Sequence, residues 1–125
     1  MIRITEQEFE ELVLEAVTSL PAGLKERLDD VVVDIEAMPD RATARSLGLR
    51  SRRRLLGLFH GVPLTEQSVT DLARLPSRIT IYRDNIRRTC RTRRQIVQQV
   101  RKTVLHEIGH HFGMDEGDLD DLGYG

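Results

Sequence analysis

The sequence predicts an α+β fold in a single domain spanning residues 1–125, because helical periodicity near both ends flanks short runs with strand character. A chain of 125 residues lies in the size range of one domain with its own modest hydrophobic core. Hydrophobic residues make up 39% and charged residues 31% of the chain, as in ordinary globular proteins. The composition therefore favours a folded, water-soluble domain.

The N-terminal segment is predicted to form a helix that begins after Thr5. Thr5 and Glu8 have the S/T-x-x-E spacing of a capping box, in which each residue satisfies a main-chain N–H of the other. Pro21 and Gly23 are expected to end this helix. Apolar residues recur along one helical face: Phe9, Leu12, Val13, Ala16, Val17 and Leu20.

Three later segments have the patterns of β-strands. The run VVVDIEAMP is rich in β-branched residues and ends at a proline, and LLGLFHGVPLTE indicates a short strand leading to a turn at Gly61 and Pro63. The run RITIYRD alternates apolar and polar residues, which predicts a strand with one buried face. Between the first two strands, DRATARSLGLRSRRR has no sustained period and is expected to be a loop or a short helix.

A second long helix is predicted from about Arg91 to Phe112. Its apolar stripe comprises Ile96, Val97, Val100, Val104, Ile108 and Phe112. At 100° per residue, His106 and His110 lie about 40° apart, one turn apart on a side away from that stripe. Below them this side carries polar residues, namely Gln95, Gln99, Lys102 and Thr103. The two histidines are therefore expected to face a cleft or solvent, and not the core.

The net charge of −1 conceals a strong segregation of charge along the chain. Residues 1–40 carry 3 basic and 11 acidic side chains, residues 41–102 carry 16 and 3, and residues 103–125 carry 6 acidic side chains and no Lys or Arg. The basic middle segment is compatible with nucleic-acid binding. Equally, the segments could face one another in the fold and partly neutralise.

The sequence predicts a cytoplasmic protein without a membrane span. No apolar run approaches the roughly 20 residues that cross a bilayer, and the N-terminus lacks the basic and apolar regions of a signal peptide. The single cysteine, Cys90, permits no internal disulfide, which suits a reducing compartment.

The sequence HEIGH at 106–110 has the H-E-x-x-H spacing of a metal-binding helix. Two imidazoles one turn apart can both direct a ring nitrogen to one Zn²⁺ at about 2.0–2.1 Å. Glu107 is rotated by about 100° around the axis, so it can reach a metal-bound water without entering the coordination sphere. Because zinc lowers the pKa of such a water toward about 7, a carboxylate can take its proton at neutral pH. The motif predicts His106 and His110 as metal ligands and Glu107 as the general base.

A third ligand is predicted in the residues that follow. Gly113 comes three residues after His110, where a helix that ends in a left-handed turn favours glycine. The chain can then double back and present Glu116, six residues after His110, to the same Zn²⁺. Asp115 is adjacent and remains an alternative, although the spacing favours Glu116.

The resulting pattern, H-E-x-x-H-x-x-G-x-x-E, resembles the metzincin-type zinc signature, which ends in His or Asp. More narrowly, the chain resembles the small cytoplasmic zincin-like metallopeptidases of bacteria, in which an acid replaces the third histidine. The likeness extends to LLGLFHGVPLTE, RITIYRDNI and the closing DLGYG, and is firmest from residue 54 onward. It implies a compact zincin-like domain whose three- to four-stranded sheet packs on an N-terminal helix and an active-site helix, with zinc at the cleft.

The function predicted on this basis is zinc-dependent hydrolysis of peptide bonds, with a zinc-activated water and Glu107 as general base. A peptide or protein substrate is expected to dock along the strand at 79–83 by β-addition. Two alternatives remain open. One is a metal-dependent endoribonuclease, for which the basic middle segment would bind phosphates. The other is a catalytically silent metal-binding adaptor or regulator.

Three other residues could contribute to the site, but each has a simpler interpretation. His60 is expected to be an ordinary loop histidine. His111 lies about 140° from His106 around the helix and is expected to pack near the apolar stripe. Tyr124 is expected to pack on the last helix.

Overall fold

The computed structural model describes residues 1–60 and 77–111, with side chains described through Gly109. Within these ranges the elements follow the order α1 (Glu6–Thr18), α2 (Ala22–Leu28), β1 (Val31–Glu36), α3 (Arg41–Ser46), β2 (Gly57–His60), β3 (Ser77–Tyr82), α4 (Arg83–Thr89) and α5 (Arg93–His111). This content confirms the α+β fold class. The turn predicted at Gly61 and Pro63 lies outside the described residues.

Helix α1 begins as predicted. The main-chain N–H of Thr5 donates to Glu8 Oε1 at 3.0 Å, and the N–H of Glu8 donates to Thr5 Oγ1 at 3.1 Å, so both halves of the capping box are present. The predicted apolar stripe is buried except for Val17, which is partly buried, and Phe9 and Ala16 are fully enclosed. Helix α1 ends at Thr18, before Pro21. Pro21 is the N-cap of a second helix, α2, which was not predicted from the sequence.

Removal of the α1 cap is expected to destabilise the fold modestly. Thr5→Ala deletes the acceptor for the Glu8 N–H and should lower the free energy of unfolding by about 1 kcal/mol, whereas Thr5→Ser keeps the acceptor and serves as the control. Urea denaturation at pH 7 measures the difference. Hydrogen bonds from Thr5 and Arg93 lower the pKa of Glu8. The contribution of this carboxylate is therefore present at neutral pH and is lost as the pH falls through its lowered pKa. Equal stability of Thr5→Ala and Thr5→Ser would contradict the capping role of Thr5.

The sheet has the strand order β1-β3-β2, with β1 parallel and β2 antiparallel to the central strand β3. The prediction that the RITIYRD strand has one buried face is wrong. Ile79 and Ile81 are fully buried on one face, but Thr80 and Tyr82 on the other are only 2% and 1% exposed. At these positions β3 is covered on both faces. The polar character of Thr80 and Tyr82 gave no sign in the sequence that their face would also be buried. Arg83 does not continue the strand but begins α4.

The central position of β3 also corrects the expected substrate-docking strand. The main chain of β3 pairs with β1 on one side and with β2 on the other, so neither of its edges can accept a peptide. Docking along residues 79–83 is therefore wrong. Among the described residues, β2 pairs with β3 alone, which leaves the outer edge of β2 as the candidate.

The core lies between one face of the sheet and the two long helices, because α1 packs on α5 and α5 packs on β2 and β3. Four residues of the predicted α5 stripe are buried, namely Ile96, Val100, Val104 and Ile108. Phe112 lies outside the described residues. Helix α5 begins at Arg93, and residues 90–92 separate it from α4. None of the described helices is long and apolar enough to cross a membrane.

Ion pairs link the acidic N-terminal segment to the basic middle segment. Arg83 pairs with Glu6 at 3.2 Å, Arg78 pairs with Asp34 at 3.4 Å, and Arg93 on α5 pairs with Glu8 on α1. Exposed pairs such as these contribute little to stability. They show, however, that part of the charge segregation is neutralised within the fold.

Asn85 of α4 fixes the segment that leads into β2. Its side chain is fully buried, and its Nδ2 donates to the carbonyl oxygens of Arg52 at 2.7 Å and Leu55 at 2.6 Å. Arg88 Nη1 donates to Asn85 Oδ1 at 2.9 Å. One amide thus satisfies two main-chain carbonyls of an irregular segment and holds the start of β2 in place.

Candidate active site

A cleft of about 380 Å³ opens between the start of β2 and one face of α5. This face carries His106 and the polar residues predicted to lie below it, and His106 itself is exposed. The expectation that His106 faces a cleft and not the core is therefore confirmed. The described residues that line the cleft are Leu55, Leu56, Gly57, Gln99, Lys102, Thr103, His106 and Glu107.

Gly57 marks a close approach of β2 to α5. It is buried, and a Cβ at this position would collide with Thr103 Cγ2 and would lie 3.2 Å from the carbonyl oxygen of Thr80. Glycine inside a strand commonly marks a site where another element comes close. Strand β2 and helix α5 therefore come into contact at Gly57, where the strand has no side chain.

Glu107 lies beside the outer edge of β2. Its Oε2 accepts a hydrogen bond from the main-chain N–H of Phe59 at 3.2 Å. The N–H of Tyr82 donates to the carbonyl oxygen of Leu56, so Leu56 directs its main-chain groups toward β3. Because this direction alternates along a strand, Gly57 and Phe59 direct theirs away from β3, toward the cleft. The carboxylate is thus half-buried at the point where the edge strand and the helix meet.

His106 and His110 both lie on α5, which extends to His111, so the backbone places them one turn apart as predicted. The side chain of His110, and all of Glu116 and Asp115, fall outside the described part of the chain. Within the described part, no group of three His, Cys, Asp or Glu side chains could hold a metal ion. By type, two imidazoles and a carboxylate fit zinc, and the ligand set His106, His110 and Glu116 stays a prediction.

Of the other candidate residues, His60 is the one whose side chain lies within the described part of the chain. Phe59 packs on the core, so the neighbouring His60 points to the opposite face of β2, away from α5. His60 is exposed and ends a strand, so the expectation of a loop was wrong. His111 is the last described residue of α5, and Tyr124 lies outside the described residues.

Burial, together with the nearby carboxylates of Glu36, Asp40, Asp34 and Glu107, raises the pKa of Tyr82 to about 12. Each negative charge disfavours the phenolate. Tyr82 therefore remains a neutral phenol throughout the pH range in which a neutral hydrolase works.

Sequence reasoning did not single out Gly57, the main chain of Phe59, or Asn85. The one local signal was the glycine inside the strand pattern LLGLFH. No sequence pattern reports which strand a helix packs against, so the hydrogen bond to Glu107 was not foreseeable.

A helix carrying H-E-x-x-H beside β2, at the edge of the described part of a small mixed sheet, is consistent with a zincin-like domain. A family model described as zincin-like metallopeptidase matches residues 28–125, well over half of the chain. The chain belongs to the zincin-like metallopeptidase family, which confirms the resemblance drawn from the sequence. The match begins within α2, so α1 lies before it. No match was found among curated proteins.

Proposed function

We propose that this chain is a zinc-dependent peptidase in which His106, His110 and Glu116 hold the metal and Glu107 is the general base. Membership of the metallopeptidase family supports hydrolysis of peptide bonds. The observation that carries the assignment of the base is the location of Glu107. Its carboxylate lies at the cleft, next in sequence to His106 and 3.2 Å from the N–H of Phe59 on the outer edge of β2.

The chemistry proposed for the chain is proton transfer by Glu107. Bound zinc would supply a Lewis acid that polarises the scissile carbonyl and makes an attacking water more acidic. Glu107 takes a proton from the attacking water and delivers it to the departing amine nitrogen. Its half-buried position at the rim of an open cleft lets the carboxylate meet both water and substrate.

The outer edge of β2 is the proposed docking surface for the peptide. Gly57 directs its main-chain N–H and C=O away from β3 and lines the cleft. An extended peptide can add to such an edge through main-chain hydrogen bonds. This arrangement would bring a scissile carbonyl alongside Glu107.

We also propose that the protein acts in the bacterial cytoplasm. Cys90, the one cysteine of the chain, is buried and free. A buried thiol with no second cysteine in the chain to form a disulfide suits a reducing compartment.

Metal analysis combined with peptide cleavage tests the proposed function. Purified protein is expected to hold one zinc per chain and to cut a diverse peptide library. A chelator should abolish cleavage and added zinc should restore it. His106→Ala should lose both zinc and activity, whereas His60→Ala, an exposed histidine on the opposite face of β2, should lose neither.

The alternatives give different results in the same assays. Zinc-loaded protein that leaves every peptide uncut would support the adaptor or regulator. Metal-dependent cleavage of single-stranded RNA, without peptide cleavage, would support the endoribonuclease.

A further inference from the structure

We propose that strand β2, and not α5 alone, positions the general base. The main-chain N–H of Phe59 orients Glu107, and Gly57 sets the spacing between β2 and α5 that makes this contact possible. The catalytic role of the Phe59–Glu107 contact rests on the proposed function. Phe59 and Gly57 are positioning residues, because neither exchanges a proton with the substrate.

The helix by itself leaves the carboxylate of Glu107 free to rotate about several side-chain bonds. A general base acts over a heavy-atom distance of about 2.6–3.2 Å, and a displacement of about 1 Å can cost about 10²-fold in rate. The hydrogen bond from Phe59 removes part of this freedom by fixing Oε2. It leaves Oε1 as the oxygen that accepts the proton of the attacking water.

The donor is a rigid one. The neighbouring main-chain groups of β2 bond to the central strand β3, whereas the N–H of Phe59 points the other way. Because it belongs to the backbone, its position follows from the pairing of β2 with β3 and not from a side-chain rotamer. Sites supported by strands hold their geometry better than sites supported by loops.

The contacts Gly57–Thr103 and Phe59–Glu107 are successive steps of one interface. Two residues along β2 advance by about 6.6 Å, and the four residues from Thr103 to Glu107 advance α5 by about 6 Å. A Cβ at position 57 would collide with Thr103 Cγ2. It would therefore push β2 away from α5 one step before the hydrogen bond and stretch the Phe59–Glu107 distance beyond 3.2 Å.

Thr103 cannot easily turn aside to relieve that collision. Its side chain is buried, and its Oγ1 donates to the carbonyl oxygen of Gln99 at 2.8 Å. Rotation of the Cγ2 methyl away from β2 would break this hydrogen bond. Serine at position 103 would keep the hydroxyl and remove only the methyl that a Cβ at Gly57 meets, which provides a matched rescue.

Amide hydrogen exchange at Phe59, followed by NMR, tests the contact without any activity assay. The Phe59 amide is expected to be protected in the wild type and in Glu107→Gln, which keeps an acceptor. Glu107→Ala and Gly57→Ala should each increase its exchange rate at least tenfold. The double variant Gly57→Ala/Thr103→Ser should restore most of the protection, leaving only the 3.2 Å approach to the Thr80 carbonyl.

Peptide hydrolysis tests the catalytic consequence. Gly57→Ala is expected to lower kcat/KM at least tenfold, mainly through kcat, without changing the zinc content. In the Thr103→Ser background the same substitution should cost less than threefold. Because removing the Thr103 methyl would also relieve a loss of stability, urea denaturation of each variant accompanies the kinetics, and a lowered kcat in Gly57→Ala that is fully folded at the assay temperature assigns the effect to the active site.

Two results would overturn the proposal: an unprotected Phe59 amide in the wild type, or no rescue of Gly57→Ala by Thr103→Ser. Should Gly57→Ala fail to fold, the comparison of Glu107→Ala with Glu107→Gln decides the question by exchange alone. If the exchange pattern is as expected but the wild type cleaves no peptide, the contact is supported and only the peptidase assignment is overturned.

Discussion

Glu107→Gln is expected to lower kcat/KM for peptide hydrolysis by about 10²–10⁴-fold, the usual contribution of a general base, while zinc stays bound. Glutamine has the shape of glutamate but cannot take a proton from water. Its side-chain oxygen can still accept the N–H of Phe59, which in the wild type lies 3.2 Å from Glu107 Oε2. The substitution thus removes the proton transfer and leaves the contact with β2 intact.

Steady-state kinetics with a cleaved library peptide, together with metal analysis of each variant, measure this effect. Glu10→Gln is a matched control, because Glu10 is an exposed carboxylate on α1. It should retain the wild-type rate. A Glu107→Gln variant that cleaves as fast as the wild type would refute the general-base role.

Asn85→Leu is expected to give the largest loss of stability, about 3 kcal/mol, given that each buried polar group left unsatisfied costs about 1–3 kcal/mol. Leucine is branched at Cγ like asparagine but cannot donate to the carbonyl oxygens of Arg52 and Leu55, which Asn85 Nδ2 meets at 2.7 and 2.6 Å. Arg88 would also lose its acceptor on this side chain. Because total stabilities of small domains are about 5–15 kcal/mol, the loss is a large fraction.

Thr80→Val is a matched control, since Thr80 is 2% exposed and valine replaces its hydroxyl by a methyl group on the same branched side chain. It should change the free energy of unfolding by less than Asn85→Leu does. Urea denaturation of both variants measures the difference. Asn85→Leu should also disturb the cleft, because Leu55 lines it. Equal stabilities would show that the two carbonyls find other partners.

The elements with a strong local signal were predictable from the sequence. The capping box of Thr5 and Glu8 and the 3.6-residue apolar period located α1, and the same period located α5 to within two residues at its start. Strand composition located β1, β2 and β3. Helices α2 and α4 were missed, because each has 7 residues, too few for a periodic pattern to stand out.

The sequence by itself determined the chemistry available to this protein: the histidine spacing on α5, the adjacent glutamate and the family to which these residues point. The tertiary structure decided where that chemistry is placed. It made β3 the central strand and put the outer edge of β2 beside Glu107. Periodicity reports how a segment presents its own side chains. Strand order and the contact of Gly57 with Thr103 depend on residues about 20 to 50 positions apart, and no local pattern encodes them.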